Sequence, residues 1–348
     1  MASFEYEPVL SAKAWEFLCS LPRKRQQRVI RLIQQLAEQS WRLGDYRIAI
    51  IGSGAVGCYY GGRLAQHGND VHFLLRSEYE QVKQHGIKIS SPLSDFSLPQ
   101  VNCHRSTSEI GPCDLVIIAM KATANEALLE LLPPLLHEKT MILTLQNGLG
   151  GDDFLAQHFG SAHVLGGLCF VCINRIAPAV IHHIAQGQIA LGEHSGAPQV
   201  RTETLAVEFR RCGIDCKVEP SLIAARWKKL VWNIPFNGLS IAAGGKDTAA
   251  ILADPVLEQR VRDLMREIIE TAGRLGHAIP LSLIDDMIER TRTMSAYKPS
   301  SLIDFLAGSE VELEAIWGEP VRQAKAAGFE MPQVERLYEE LKERIAAR

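Results

Sequence analysis

Residues 46–76, YRIAIIGSGAVGCYYGGRLAQHGNDVHFLLR, constrain the fold more than any other stretch of the chain. A short apolar run rich in β-branched residues, 47–51, breaks at Gly52-Ser53-Gly54, where backbone without Cβ can turn sharply and approach a ligand. A helix is predicted to start at once, through Ala55, Val56 and Gly57. Its first turn would offer unpaired N–H groups and the positive end of the helix dipole to a pyrophosphate, and Gly57 would let the helix lie close on the strand. Gly68 closes that helix, and residues 70–75 supply the second strand of a βαβ unit. The glycine pattern alone is weak; strand before it and helix after it make it a dinucleotide-binding fingerprint.

The end of the second strand selects the dinucleotide. Sites for NAD and FAD usually place Asp or Glu there to accept from the ribose 2′-OH, whereas this chain places Arg76. A planar guanidinium holds two oxygens of a 2′-phosphate at once, which favours NADP(H) over NAD(H). The rival reading of Arg76 is a solvated strand-end residue.

At 348 residues the chain is long for a single core, so two domains are expected. A net charge of −3 carries no nucleic-acid signature. The beginning of the sequence lacks a basic stretch followed by an apolar core, and no apolar run approaches the ~20 residues a bilayer requires, so a cytoplasmic protein is expected. The eight cysteines are scattered; Cys169 and Cys172 have half a zinc spacing but sit in an extended run with no second pair, so reduced thiols and no metal are expected.

Residues 1–45 precede the fingerprint. Helical periodicity at 12–21 and 25–39 around Pro22 predicts a helical hairpin, with the run RKRQQR on a solvated face. After Arg76 a short helix to His85 and strands at 87–90 and 96–101 are expected. Residues 114–120 are apolar on both faces, as a central parallel strand should be, and end at Lys121. Residues 140–145 repeat the pattern and end at Gln146-Asn147-Gly148. Carboxyl ends of such strands are where open α/β sheets bind ligands, so Lys121 and Asn147 are cleft candidates; a surface lysine is the alternative for Lys121. Residues 164–191 read as short antiparallel strands at the sheet edge, and a helix at 198–212 and a strand at 215–219 complete a first domain, 46–219. From Pro220 the pattern is helical, at 221–243, 255–275, 281–291, 300–327 and 332–347. The second domain, 220–348, is thus expected to be all-α.

Its most informative stretch is ARWKKLVWNIPFNGLSIAAGG, 225–245. Lys229, Asn233 and Asn237 recur every four residues, so a helix aligns them on one face among Leu230, Val231, Ile234, Phe236 and Leu239. Pro235 removes one helical hydrogen bond and should bend the helix. Polar groups on an otherwise apolar helix are costly unless paired, and a cleft would explain them.

At this point the chain from about residue 47 onward resembles ketopantoate reductase (2-dehydropantoate 2-reductase). The resemblance rests on GSGAVG with Arg76, MKA at Lys121, QNG at Asn147, WKKLVWNIPFN, PSSLIDFLAGSEVELEAIWG at 299–318 and GEPVRQAKAAGFEMPQ. It implies an α/β Rossmann-type domain followed by an all-α domain like the C-terminal domain of 6-phosphogluconate dehydrogenase. It also implies NADPH-dependent reduction of 2-dehydropantoate to (R)-pantoate, a step feeding pantothenate and coenzyme A. In the family pattern Lys229 is the general acid and Glu312 its catalytic partner. Asn147, Asn233, Asn237, Ser300 and Lys121 would contact substrate. Gly52, Ser53, Gly54, Ala55, Val56, Gly57, Arg76, Lys121, Asn147 and Glu312 would contact NADPH, with Asp304 as the motif's aspartate. Two departures stand out: Val311-Glu312-Leu313-Glu314 replaces Thr-Glu-Ile-Asp, and Trp317 replaces an asparagine, so that Trp317 either makes the pocket beside Glu312 bulkier, which favours a branched 2-keto acid in general over ketopantoate itself, or lies in the bundle core.

The residue types suit the chemistry. Hydride delivery to a ketone develops an alkoxide that needs a proton donor or positive charge, and a lysine ammonium supplies either. A neighbouring Glu312 would hold that ammonium in place. Partners are expected to be a small 2-keto acid, with no nucleic acid or membrane, and a monomer or homodimer. The alternatives are a reductase of another branched 2-keto acid, and a non-catalytic NADPH-binding regulator docking a partner on residues 1–45.

Overall fold

The computed structural model describes residues 17–38, 46–294 and 296–348. Of the expected N-terminal hairpin, residues 12–16 and 39 lie outside the described residues; within them, helix Arg23–Glu38 follows the Pro22 turn.

Ten strands form one sheet: β1 (Arg47–Ile51), β2 (Asp70–Leu74), β3 (Ile87–Ser90), β4 (Phe96–Leu98), β5 (Asn102–His104), β6 (Leu115–Ile118), β7 (Met141–Thr144), β8 (Val164–Ala177), β9 (Val180–Glu193) and β10 (Cys216–Val218). Their order is β4-β3-β9-β8-β7-β6-β1-β2-β5, with β10 on β9. From β5 through β2, β1, β6 and β7 to β8 all neighbours are parallel. That is the doubly wound Rossmann order, and its direction of winding reverses between β1 and β6. All four residues of β6 and of β7 are buried, as a sheet covered on both faces demands. The carboxyl ends of β1, β6 and β7 therefore open on one crevice.

The structure corrects the expected edge of the sheet. Residues 164–191 form two 14-residue strands paired antiparallel, and β9 lies inside the sheet, flanked by β8, β3 and β10. Register shifts after Phe170, Cys172 and Arg175 absorb the irregular spacing that reads as strand breaks in the sequence.

Beyond Glu219 the described chain is helical. Helix Leu222–Ala242 is central, packed by helices Pro255–Arg274, Ser300–Leu306 and Pro332–Ala346. Its Trp227, Leu230, Ile234, Phe236 and Leu239 are fully buried in one core, each contributing about 1.5–3 kcal/mol by leaving water. Ser221 caps its start by accepting from the Ala224 N–H. The single helix expected at 300–327 is instead broken at Gly308, where φ is +70°, and resumes as a π-helical turn, Glu314–Gly318, followed by Glu319–Ala326. Among the described residues no helix is long and apolar enough to cross a membrane.

Candidate active site

The glycine loop is built for close approach. Gly52 has φ of +102°, and a Cβ there would lie 2.2 Å from the Met120 backbone nitrogen, so the turn after β1 rests directly on the end of β6. A Cβ at Gly57 would lie 2.2 Å from the Gly52 carbonyl oxygen, whereas one at Gly54 would meet nothing within 4 Å. The loop is tight toward the protein and open outward. Helix Ala55–Gln66 begins there with no side-chain cap and no acidic residue in its first turn. The first-turn N–H groups have no intrahelical acceptor and stand at the positive end of the dipole, next to the open side of Gly54, which fits an anionic pyrophosphate. Ser53 is engaged otherwise: its hydroxyl donates to the Leu74 carbonyl at 2.8 Å and ties the loop to β2. Arg76 is exposed and forms no ion pair among the described residues, so its guanidinium is available to a 2′-phosphate.

Across the crevice stands Lys229. Its ammonium donates to Asn147 Oδ1 at 2.8 Å and to the Cys169 carbonyl at 2.9 Å, and lies 5.4 Å from the centre of the Phe170 ring. Its pKa is lowered to about 8, chiefly by burial and also by Arg226, while Cys169 and Glu312 act in the opposite direction. Lys229, Asn147, Asn233, Gln146, Gly148, Leu168, Leu230 and Arg226 line one small cavity of about 10 Å³, room for a single water.

Glu312 stands off from this ammonium, correcting the expected direct contact. Its Oε1 accepts from the Ala122 N–H at 3.0 Å, at the end of β6. Burial pushes its carboxyl upward, while the Ala122 N–H, Lys121 and the Asn147 amide favour the charged form. Asn147 thus lies between Lys229 and Glu312. The other lysine, Lys121, is 2.7 Å from Asp304 and donates to the Glu310 carbonyl at 2.7 Å, a bridge from the sheet to the helical region.

The loop after β7 is locked to the π-turn. Gly148 has φ of +83°, a Cβ there would strike the Ala315 carbonyl at 2.2 Å, and the Leu149 N–H donates to that same oxygen at 2.9 Å. π-Turns are favoured at functional sites because they shift the phase of neighbouring side chains.

Asn237 differs from its expected place, and Trp317 takes the second of its two expected positions. Asn237 is absent from the cavity lining: its amide donates to the Asn233 carbonyl at 3.1 Å and accepts from the Ser301 N–H at 3.0 Å. It therefore docks the start of helix Ser300–Leu306, where the exposed Ser300 hydroxyl lies 3.5 Å away. Trp317 is fully buried in the helical core and donates to the Ile234 carbonyl at 3.1 Å, beside Pro235, so it fills the bundle and leaves the pocket alone. Glu314 points outward to Tyr338 and Arg322.

Sequence reading missed Arg226 and Asp152. Arg226 Nε donates to Asp152 Oδ2 at 3.1 Å, and both are nearly inaccessible. The guanidinium holds the Asp152 pKa down to about 2 against its burial. A signal existed: Arg226 lies three residues before Lys229, so on a helix it shares Lys229's face.

Two family models match this chain, ketopantoate reductase PanE/ApbA over residues 48–196 and ketopantoate reductase PanE/ApbA C terminal over residues 221–345. A 2-dehydropantoate 2-reductase from Nostoc sp. is 40% identical over 305 residues, covering 86% of this chain and 95% of that protein. The crystal structure of 2-dehydropantoate 2-reductase from Geobacter metallireducens is 45% identical with a TM-score of 0.83, covering 85% of this chain and 99% of that one. That of the Methylococcus capsulatus enzyme is 35% identical with a TM-score of 0.78, covering 85% and 95%. With the glycine loop, the strand-end Lys121 and Asn147, and Lys229 on the central helix, these matches establish that the chain belongs to the ketopantoate reductase family.

Proposed function

We propose that this protein reduces 2-dehydropantoate to (R)-pantoate with NADPH, the step that feeds pantothenate and coenzyme A. The observation that carries this reading is the Lys229 ammonium, enclosed and held by Asn147 and the Cys169 carbonyl on one cavity. NADPH, when bound, supplies the hydride for the C2 ketone. The glycine loop and first helical turn would hold the pyrophosphate, and Arg76 the 2′-phosphate. Lys229 places a positive charge beside the oxygen that becomes negative and then gives it a proton. With its pKa near 8 it is mostly protonated at neutral pH, yet a better donor than an ordinary lysine. Asn147 orients the ammonium, and Glu312 positions Asn147 and the end of β6. Asn233, in the cavity wall, offers an amide to the substrate, and the exposed Ser300 hydroxyl beside Asn237 would offer a further contact. Asn237 shapes this wall from behind. Trp317 leaves the pocket unnarrowed, so the main sequence argument against ketopantoate itself falls away.

In this reading residues 46–219 bind the cofactor, 220–348 carry the acid and substrate contacts, and 1–45 are an extension. The matched family segments, 48–196 and 221–345, support that division. The test is loss of NADPH absorbance with ketopantoate, run beside 2-ketoisovalerate, oxaloacetate and an NADH control. Turnover confined to ketopantoate with NADPH is expected; NADPH binding without turnover of any keto acid overturns the reading in favour of a regulator.

A further inference from the structure

One side chain of the catalytic helix is placed with more geometry than its motif requires. Arg226 lies one turn before Lys229 and is 4% exposed. Its Nη1 donates to the carbonyls of Gln146 and of Gly148, both at 3.2 Å, and these are the residues on either side of Asn147. Its Nε is anchored on Asp152 Oδ2 at 3.1 Å, at the start of helix Gly151–Phe159. Its Nη2 is buried without a protein partner, in the room left by Gly166, where a Cβ would lie 2.9 Å away. The planar fork thus joins the helix that carries the acid to the loop that carries the acid's acceptor.

We propose that Arg226, anchored on Asp152, is a positioning residue for the reduction: by holding the backbone on both sides of Asn147 it fixes the Asn147 amide oxygen against the Lys229 ammonium. The proposal rests on the reductase reading of the same site. A lysine could not replace it, because an ammonium on a flexible stem does not reproduce the fixed divergence of the guanidinium N–H groups. An ion pair of purely structural use would affect stability and leave the acid alone. The charged and titratable groups facing Lys229 are Arg226 on its own helix, Cys169 on β8 and Glu312 ahead of the π-turn. Those around Asp152 are Arg226, His194 and Asp153.

The decisive variant is Arg226→Lys, which keeps the charge and removes the bracket. Two readings are taken: kcat and KM per folded enzyme, and the pH midpoint of the Lys229 side chain by lysine-selective NMR of the cofactor-free protein. We expect kcat to fall roughly 10- to 100-fold with NADPH affinity within about twofold. We also expect the Lys229 midpoint to move below its starting value near 8, because the ammonium loses one of its two oxygen acceptors. Unchanged kcat, or an unchanged midpoint, overturns the proposal. Should Arg226→Lys fail to fold, Asp152→Asn keeps the shape while releasing the guanidinium, and must lower kcat and the midpoint in the same directions; wild-type values for either overturn it. If the protein turns over no keto acid, the reductase reading fails separately, and the NMR midpoint still decides whether Arg226 holds Asn147 on Lys229.

Discussion

The crevice is bordered by two lysines, one at a strand end and one on the central helix, and their surroundings differ sharply. Lys121, at the end of β6, has a side chain 37% exposed and is neutralised by Asp304 at 2.7 Å. Lys229, on the central helix, has no carboxylate within ion-pair distance among the described residues, and its two acceptors are neutral oxygens. A half-exposed ion pair is a tether, worth about 0.2–1 kcal/mol. An enclosed ammonium without a counter-carboxylate is pushed toward releasing its proton, which is what an acid at neutral pH requires. A lysine's use is therefore decided by what its head group faces.

The comparison breaks most directly at Lys229. Lys229→Ala is expected to lower kcat by ~10²–10⁴-fold while cofactor affinity measured by fluorescence titration stays nearly constant. In the unmutated protein the same residue sets a pH limit. The acid form is the active one and the pKa is lowered to about 8, so kcat should be flat below that pH and fall as pH rises through it. A rate that rises with pH there would mean that Lys229 acts as a base.

Arg76→Ala comes next. Loss of a charge-assisted phosphate contact of about 1.5–3 kcal/mol should raise the KM for NADPH by ~10- to 100-fold and leave that for NADH close to its original value. Equal effects on both would remove the 2′-phosphate role. Lys121→Ala should be milder, with kcat reduced less than about tenfold and Tm lowered by no more than a few degrees, since an exposed pair contributes little. If it instead cost more kcat than Lys229→Ala, the roles assigned to the two lysines would be exchanged. The smallest catalytic effect is expected from Trp317→Phe. It deletes the indole N–H bond to the Ile234 carbonyl, at a cost of about 0.5–1.5 kcal/mol in denaturant unfolding, with the KM for ketopantoate unchanged. A changed KM would put Trp317 back at the pocket.

The features legible in the sequence are those encoded within a few residues of one another. The βαβ fingerprint and the buried strands β6 and β7 depend on backbone sterics and on alternation over ten or so positions. So does the helix that aligns Lys229 with Asn233, and the placement of Arg76 follows from the second strand's end. Partnerships were not legible. Asn147 is 82 residues from the lysine it accepts from, and Asp152 is 74 residues from Arg226. Local pattern carries no information about which of many polar residues will meet across such a gap. Side-chain direction near a break in helical phase was equally hidden. Trp317, inside the π-turn at Glu314–Gly318, enters the core, and Glu312 just ahead of that turn reaches the Ala122 N–H. The bulges of β8 and β9 decide that one long hairpin stands where the spacing reads as several strands. Sequence by itself therefore determined the elements and the residue types brought to the crevice, because local sterics and burial periodicity act along the chain. Only the tertiary structure decided that Lys121 meets Asp304 while Lys229 meets neutral oxygens, because desolvation and hydrogen-bond partners are properties of what folds around a group.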